Sequence, residues 1–149
     1  MEKPFVLLAD DNDATCTLIT ALLDREFRIE IARDGSEAIE QLRTRQFAAV
    51  LLDLRMPIVD GFSVLDFVAT NRPEMMNRMI VLTAALSSGE MERVHHFPIF
   101  TVVRKPFEVD HLLTAVRRCA SHGDHPMSSP FVSTSLLLLV AELMRHRWM

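Results

Sequence analysis

Asp10 with Asp11, Asp53, Thr83 and Lys105 each follow or end a short apolar run, namely PFVLLA, FAAVLL, MIVL and IFTVVR. Carboxylates, a hydroxyl and an amine delivered to one edge of a sheet are the makings of a Mg²⁺ and phosphoryl site. Taken alone, adjacent acids after a strand cap the next helix or face water, and a threonine ending a strand is ordinary β propensity. Asp53, in the equivalent position after a second apolar run, changes the balance. Three neighbouring carboxylates repel, raise one another's pKa and require a cation. Mg²⁺ suits them, because it takes oxygen ligands octahedrally and keeps waters or phosphate oxygens in its remaining positions. The Thr83 hydroxyl and the Lys105 ammonium can then each hydrogen-bond a phosphoryl oxygen. An aspartate carboxylate is itself a competent nucleophile for phosphoryl, forming an acyl phosphate.

Such a site needs strands that end together. Apolar runs at 5–9, 28–32, 48–52, 79–83 and 99–103 read as strands, and stretches with helical periodicity lie near 14–25, 36–45, 62–71, 88–97 and 108–119. In the last of these, Val109, Leu112, Leu113 and Val116 mark one apolar face. Strict alternation of strands this apolar with helices predicts a parallel α/β sheet covered on both faces, five βα units within residues 1–120. In such sheets ligands bind beyond the carboxyl ends of the strands, where neighbouring crossovers diverge. All five residues sit at carboxyl ends.

Size and composition agree with one domain. The chain has 149 residues, 49% of them hydrophobic, enough for a single core. Its net charge of -4 gives no broad electrostatic footprint for nucleic acid, so any DNA contact would fall to another domain or a partner. Cys16 and Cys119 have no CxxC or metal spacing and read as packing residues of a reducing compartment, hence a cytoplasmic protein. The start, MEKPFVLLADD, lacks a signal-peptide core.

The segments VLLADDN, LLDLRMPIVDGF, MIVLTA and VVRKPF resemble, in order and across residues 3–120, the receiver domain of two-component response regulators. Thr83 follows Asp53 by 30 positions and Lys105 follows Thr83 by 22, which also fits. The resemblance implies a flavodoxin-like (βα)5 doubly wound sheet of strand order 2-1-3-4-5. It makes Asp53 the phosphoacceptor, Asp11 a direct Mg²⁺ ligand, Asp10 a ligand through water or a supporting acid, and the Arg55 backbone carbonyl a further ligand. Thr83 becomes the hydroxyl that moves toward the phosphoryl group, and Lys105 its counter-ion, with a Lys105-Pro106 peptide that is often cis in the family. The implied donor is a histidine kinase or a phosphotransfer protein. The chain would be no enzyme, beyond accepting phosphoryl and slowly losing it, and phosphorylation would switch the surface from Ala84 to about Val116. Homodimerisation through the face of helix 4, strand 5 and helix 5 is a further expectation.

Several positions depart from the pattern. Receivers usually carry Tyr or Phe three positions before the lysine, where this chain has Val102, which cannot swing a ring between core and solvent. His95 and His96 are adjacent, so on a helix they diverge rather than share a metal. Arg55 and Ala85 lie two residues beyond the acceptor and the threonine, and a long Arg55 side chain could lean over the phosphoryl group and slow its hydrolysis.

Residues 121–130 have the Gly, Pro and Ser content of a linker, and 131–149 reads as a short apolar helical tail, with Ser135 capping a helix from Leu136. From 131 to 141 there are 11 uncharged residues, below the roughly 17–25 that cross a bilayer. Burial in a dimer or against a partner is the first reading of the tail. An interfacial membrane anchor using Arg145, Arg147 and Trp148 is the second, and the start of a longer output region the third.

Two other functions remain open in the sequence. Asp11-Asn12-Asp13-Ala14-Thr15 fits the DxDxT phrase of haloacid-dehalogenase-like phosphatases, with Asp11 as nucleophile and Asp13 as general acid. A pseudo-receiver, keeping the fold as an interaction module without phosphoryl chemistry, is the other.

Overall fold

The computed structural model describes residues 2–122. Five strands, β1 (Phe5–Ala9), β2 (Arg28–Ala32), β3 (Ala49–Leu52), β4 (Met79–Thr83) and β5 (Thr101–Arg104), alternate with five helices, α1 (Asp13–Leu23), α2 (Gly35–Thr44), α3 (Gly61–Asn71), α4 (Ser88–His95) and α5 (Val109–His122). The sheet is parallel throughout, in the order β2-β1-β3-β4-β5, the doubly wound flavodoxin-like arrangement.

Period-two alternation along the strands makes two cores. Leu7, Ala9, Val50, Leu52 and Val81 face one side with the buried residues of α2, α3 and α4, such as Leu42, Leu65 and Val94. Val6, Leu8, Leu51, Ile80 and Val103 face the other with Ile19 and Leu23 of α1 and Leu112, Val116 and Cys119 of α5. Strands covered on both faces have no polar side, which is why each reads as a continuous apolar run. Burying each large aliphatic side chain contributes about 1.5–3 kcal/mol.

The strand and helix positions follow the sequence closely, with shifts at the ends. Ala48 lies just before β3, donating its N–H to the Phe5 carbonyl at 2.8 Å. Strand 5 starts two residues later than the apolar run, because its ladder begins with Thr101 opposite Ile80; residues 98–100, led by Pro98 with no N–H to give, are the approach to it. A 3₁₀ turn, Pro73–Arg78, was not evident as an element in the sequence. Its signals are a proline at the first position and the pair Met75 and Met76, both buried. Ser121 and His122 belong to α5 rather than to a linker. The linker from 123 and the tail at 131–149 lie outside the described residues. Among the described residues no helix is long and apolar enough to cross a membrane.

Caps start the helices facing the site. Asn12, Asp34 and Asp60 each accept an N–H three residues on, at 2.9 Å in every case, which contributes about 1 kcal/mol per cap. Asp60 is followed by Gly61, and a Cβ there would stand 2.6 Å from the Leu54 Cα. The hydrogen of Gly61 thus lets the turn after β3 close on itself, with its N–H on the Leu54 carbonyl at 3.0 Å. At the tip, Ile58 is 84% exposed with φ of 68°, a left-handed conformation that costs a residue with a branched Cβ about 1–2 kcal/mol.

Helix α4 is anchored differently. Its eight residues bury only Val94, whereas α3 buries five. Ser87 and Glu90 form a capping box at its start. Arg93 stacks on the Phe62 ring at 4.1 Å and reaches Asp66 of α3 at 3.8 Å.

Gly61→Ala is expected to lower unfolding free energy in urea by about 2–4 kcal/mol, since backbone must move. Gly89→Ala, where nothing lies within 4 Å, is expected to raise it by up to about 1 kcal/mol through helix propensity.

Candidate functional site

Register brings the acids together. Ala9 is paired with Leu52, so Asp10 and Asp53, the next residues, leave neighbouring strands side by side. The Asp53 N–H donates to the Ala9 carbonyl at 2.9 Å and that of Asp10 to the Ala32 carbonyl at 3.0 Å. Thr83 is paired with Arg104, which delivers Lys105 just past the end of β4, its N–H on the Thr83 carbonyl at 2.8 Å. The Lys105-Pro106 peptide is cis.

The lysine holds the centre. Its Nζ donates to Asp10 Oδ2 at 2.5 Å and to Asp53 Oδ2 at 3.3 Å. Asp10 is wholly buried and Asp53 nearly so, while Asp11 is exposed. The second Asp10 oxygen accepts the Asn12 N–H at 2.9 Å, and the second Asp53 oxygen accepts the Arg55 N–H at 3.0 Å. Oxygens of Asp10, Asp11 and Asp53 lie within 4.8 Å of one another, an all-oxygen donor set that fits Mg²⁺. The Thr83 Oγ1 is buried and has no hydrogen-bond partner among the described residues. An unpaired buried hydroxyl costs about 1–3 kcal/mol, a cost that an incoming acceptor at the site would remove.

Charge states depend on these contacts. Burial pushes the Asp53 carboxyl up, and the Arg55 N–H and Lys105 offset this only in part, with Asp10 adding to the rise. Burial pulls Lys105 down, but its hydrogen bond to Asp10 and the Asp53 and Asp10 charges outweigh that, so it ends above its ordinary value. Lys105 is therefore a cation at neutral pH. A raised Asp53 pKa means that folding prefers the protonated form; that contribution is complete below the usual carboxylate range and is lost as pH rises through the raised value.

Some sequence-predicted residues sit differently from expectation. Instead of leaning over Asp53, the Arg55 guanidinium donates to the Ala85 carbonyl at 3.1 Å and to Glu90 at 3.5 Å. These acceptors belong to the loop after β4 and to the first turn of α4. Sequence reasoning paired Arg55 with Ala85 by position but missed this tie, for which Glu90 in the first turn of α4 was the available signal. Asp13 pairs with Arg33 rather than with the acid cluster. His95 and His96 are both exposed, and Val102 is half-buried beside an open cleft.

The carboxyl edge of this doubly wound α/β domain gathers three carboxylates, a lysine and a buried threonine hydroxyl. The family model described as "Response regulator receiver domain" matches residues 6–117, and the chain belongs to that family, the receivers of two-component signalling. Among curated relatives, the probable methanogenesis regulatory protein FilR2 of Methanothrix harundinacea is 33% identical over 77% of this chain and 81% of its own. The transcriptional regulatory protein ZraR of Klebsiella oxytoca is 28% identical over 81% of this chain, which spans only 27% of that protein. Among solved structures, the receiver domain of the sensor histidine kinase PA1611 from Pseudomonas aeruginosa, with magnesium coordinated in its active site cleft, superposes with a TM-score of 0.72 at 26% identity, over 80% of this chain and 99% of its own.

Asp53→Asn is expected to stabilise the metal-free protein by about 1 kcal/mol at pH 7, because it removes a buried charge. Mg²⁺ should then raise the melting temperature of the wild type and leave that of the variant nearly unchanged, as read by calorimetry. Arg55→Ala removes an exposed ion pair, so its stability cost should stay under about 1 kcal/mol. Amide hydrogen exchange from Ala85 to Glu90 should nonetheless accelerate, since that loop loses its cross-link.

Proposed function

We propose that the chain is a phosphoacceptor in a two-component phosphorelay, with Asp53 accepting phosphoryl from a histidine kinase or a phosphotransfer protein. The observation that carries this reading is the Asp53 carboxylate set between a lysine ammonium and an exposed acid, with a buried Thr83 hydroxyl, unpartnered among the described residues, at the same sheet edge.

In the transfer, an Asp53 oxygen attacks phosphorus in line, the O–P bond forms as the P–N bond of the donor phosphohistidine breaks, and the imidazole leaves as the neutral base once it takes a proton from solvent. The Arg55 N–H holds one Asp53 oxygen and orients the other. Lys105 compensates the charge that the phosphoryl group adds, and the Thr83 hydroxyl donates to it. Asp10, Asp11, Asp53 and the Arg55 carbonyl would hold Mg²⁺, which supplies Lewis-acid neutralisation of the transferring oxygens. Hydrolysis of the acyl phosphate returns the carboxylate, a slow reaction rather than multiple turnover. The new charge biases the elements after β4 and β5, residues 84–116, where partners are met. Two free, buried cysteines fit a reducing, cytoplasmic setting.

Asp53 is favoured over Asp11 as nucleophile because Lys105 contacts Asp53, and because Asp13, the general acid in a phosphatase, is occupied by Arg33. Incubation with acetyl phosphate and Mg²⁺ should give one acyl phosphate, located at Asp53 by mass spectrometry and abolished by chelator or by Asp53→Asn. Asp11→Asn should weaken Mg²⁺ binding at least about tenfold by calorimetry. An adduct on Asp11, or phosphate-ester turnover by Asp53→Asn, would overturn the assignment in favour of the phosphatase; no adduct at all would leave an interaction module.

A further inference from the structure

The side chain of Arg55 begins beside Asp53 and ends on α4. Its backbone N–H donates to Asp53 Oδ1 at 3.0 Å, so the stem of the side chain is rooted next to that carboxylate. The guanidinium lies elsewhere, with Nη2 donating to the Ala85 carbonyl at 3.1 Å and to Glu90 Oε2 at 3.5 Å. That Glu90 oxygen has a second task. It accepts the Ser87 N–H at 2.8 Å, while the Glu90 N–H donates to Ser87 Oγ at 3.2 Å. One carboxylate oxygen therefore closes the first turn of α4 and also holds the cation from the loop after β3.

The hold on Arg55 is slight. Its side chain is 65% exposed and that of Glu90 35%, and an ion pair in such a place contributes little. An unbranched arginine in water moves among several staggered rotamers, and with its stem beside Asp53 the guanidinium can also reach a group carried by that carboxylate. The bare carboxylate competes poorly, because Lys105 occupies one of its oxygens and the Arg55 N–H the other. A phosphoryl group would bring a charge of about −1.5 to −2 and three strong acceptor oxygens. A guanidinium matches those oxygens with paired hydrogen bonds.

We propose that Arg55 is contested between Glu90 and a phosphoryl group on Asp53, which makes Glu90 a positioning residue: it draws the guanidinium off Asp53 and so sets how tightly the phosphoryl group is held. The proposal rests on the phosphoacceptor reading. The two contacts exclude each other, so by linkage the effect is reciprocal. A phosphoryl group on Asp53 withdraws Arg55 from the Ala85 carbonyl and from α4, and a partner that engages Glu90 releases Arg55 to the phosphoryl group. Helix α4, which buries Val94 alone, is poorly placed to resist the loss of a contact.

The test is a double-mutant cycle in the affinity for beryllofluoride, a phosphoryl analogue, with Mg²⁺ present and binding followed by ¹⁹F NMR. Glu90→Gln drops the charge but keeps the cap, since glutamine also serves in a capping box. It is expected to tighten binding roughly two- to fivefold, the scale of an exposed ion pair. Arg55→Ala keeps the backbone N–H and carbonyl, and should weaken binding by a similar factor. Glu90→Gln added to Arg55→Ala should then change nothing, whereas a purely structural role of Glu90 in the cap would act with or without Arg55. Equal affinity in wild type and Glu90→Gln would overturn the proposal, as would an effect of Glu90→Gln that persists without Arg55. A wild type that binds no beryllofluoride would overturn the phosphoacceptor reading and the proposal together. Binding that Asp53→Asn abolishes, with no change on Glu90→Gln, would overturn the proposal alone.

Discussion

One ammonium between two carboxylates holds the carboxyl edge of the sheet together. Lys105 bridges Asp10, which has no access to water, and Asp53, which has little. A buried acid without a partner would be severely destabilising, and the desolvation cost of such pairs is met only by close geometry and further hydrogen bonds. Both conditions hold: Asn12 and Arg55 satisfy the remaining oxygens from the backbone. The loops after β1 and β3 are shaped to supply those two N–H groups, and the chain after β5 to aim the lysine.

From this pair the structure extends through the loop after β3. Closure of that loop depends on Gly61, and its Arg55 side chain crosses to the Ala85 carbonyl and to Glu90. Glu90 is also half of the capping box that starts α4. Its carboxyl is held below the usual range first by the Ser87 backbone N–H, with the Ser87 hydroxyl contact, and with Arg55 adding a smaller pull. The loop after β3 and the first turn of α4 thus share one carboxylate, and a shift in either is felt by the other.

The alternation of strands and helices was legible because it depends on local pattern, the strand order came with the family resemblance, and Asp10, Asp11, Asp53 and Lys105, singled out by their places after apolar runs, do meet at one sheet edge. Apolar runs ended by Asp53, Thr83 and Lys105 state both the strand and where it stops. The contacts that were not legible are those between segments remote in sequence. Nothing in the run MPIVDG shows that Ile58 takes a left-handed φ, since that conformation arises from how the turn closes over β3. The direction of Arg55 depends on a loop 30 residues away. The cleft beside Val102 exists only once α4, β5 and α5 are assembled. The 3₁₀ turn at Pro73–Arg78 was hidden for a different reason: its two buried methionines follow no helical or strand period.

The slight anchoring of α4 gives the domain an uneven stability. An eight-residue helix has little stability of its own, and this one adds a single buried side chain and a few exposed polar contacts. Its neighbours bring whole apolar faces to the sheet. The free energy needed to open α4 alone must therefore fall well below that of global unfolding, so it behaves as a separate cooperative unit. The sheet and its acids can persist while α4 opens and closes, which lets selection tune the population of the open form through surface residues such as Arg93 without disturbing the acidic edge.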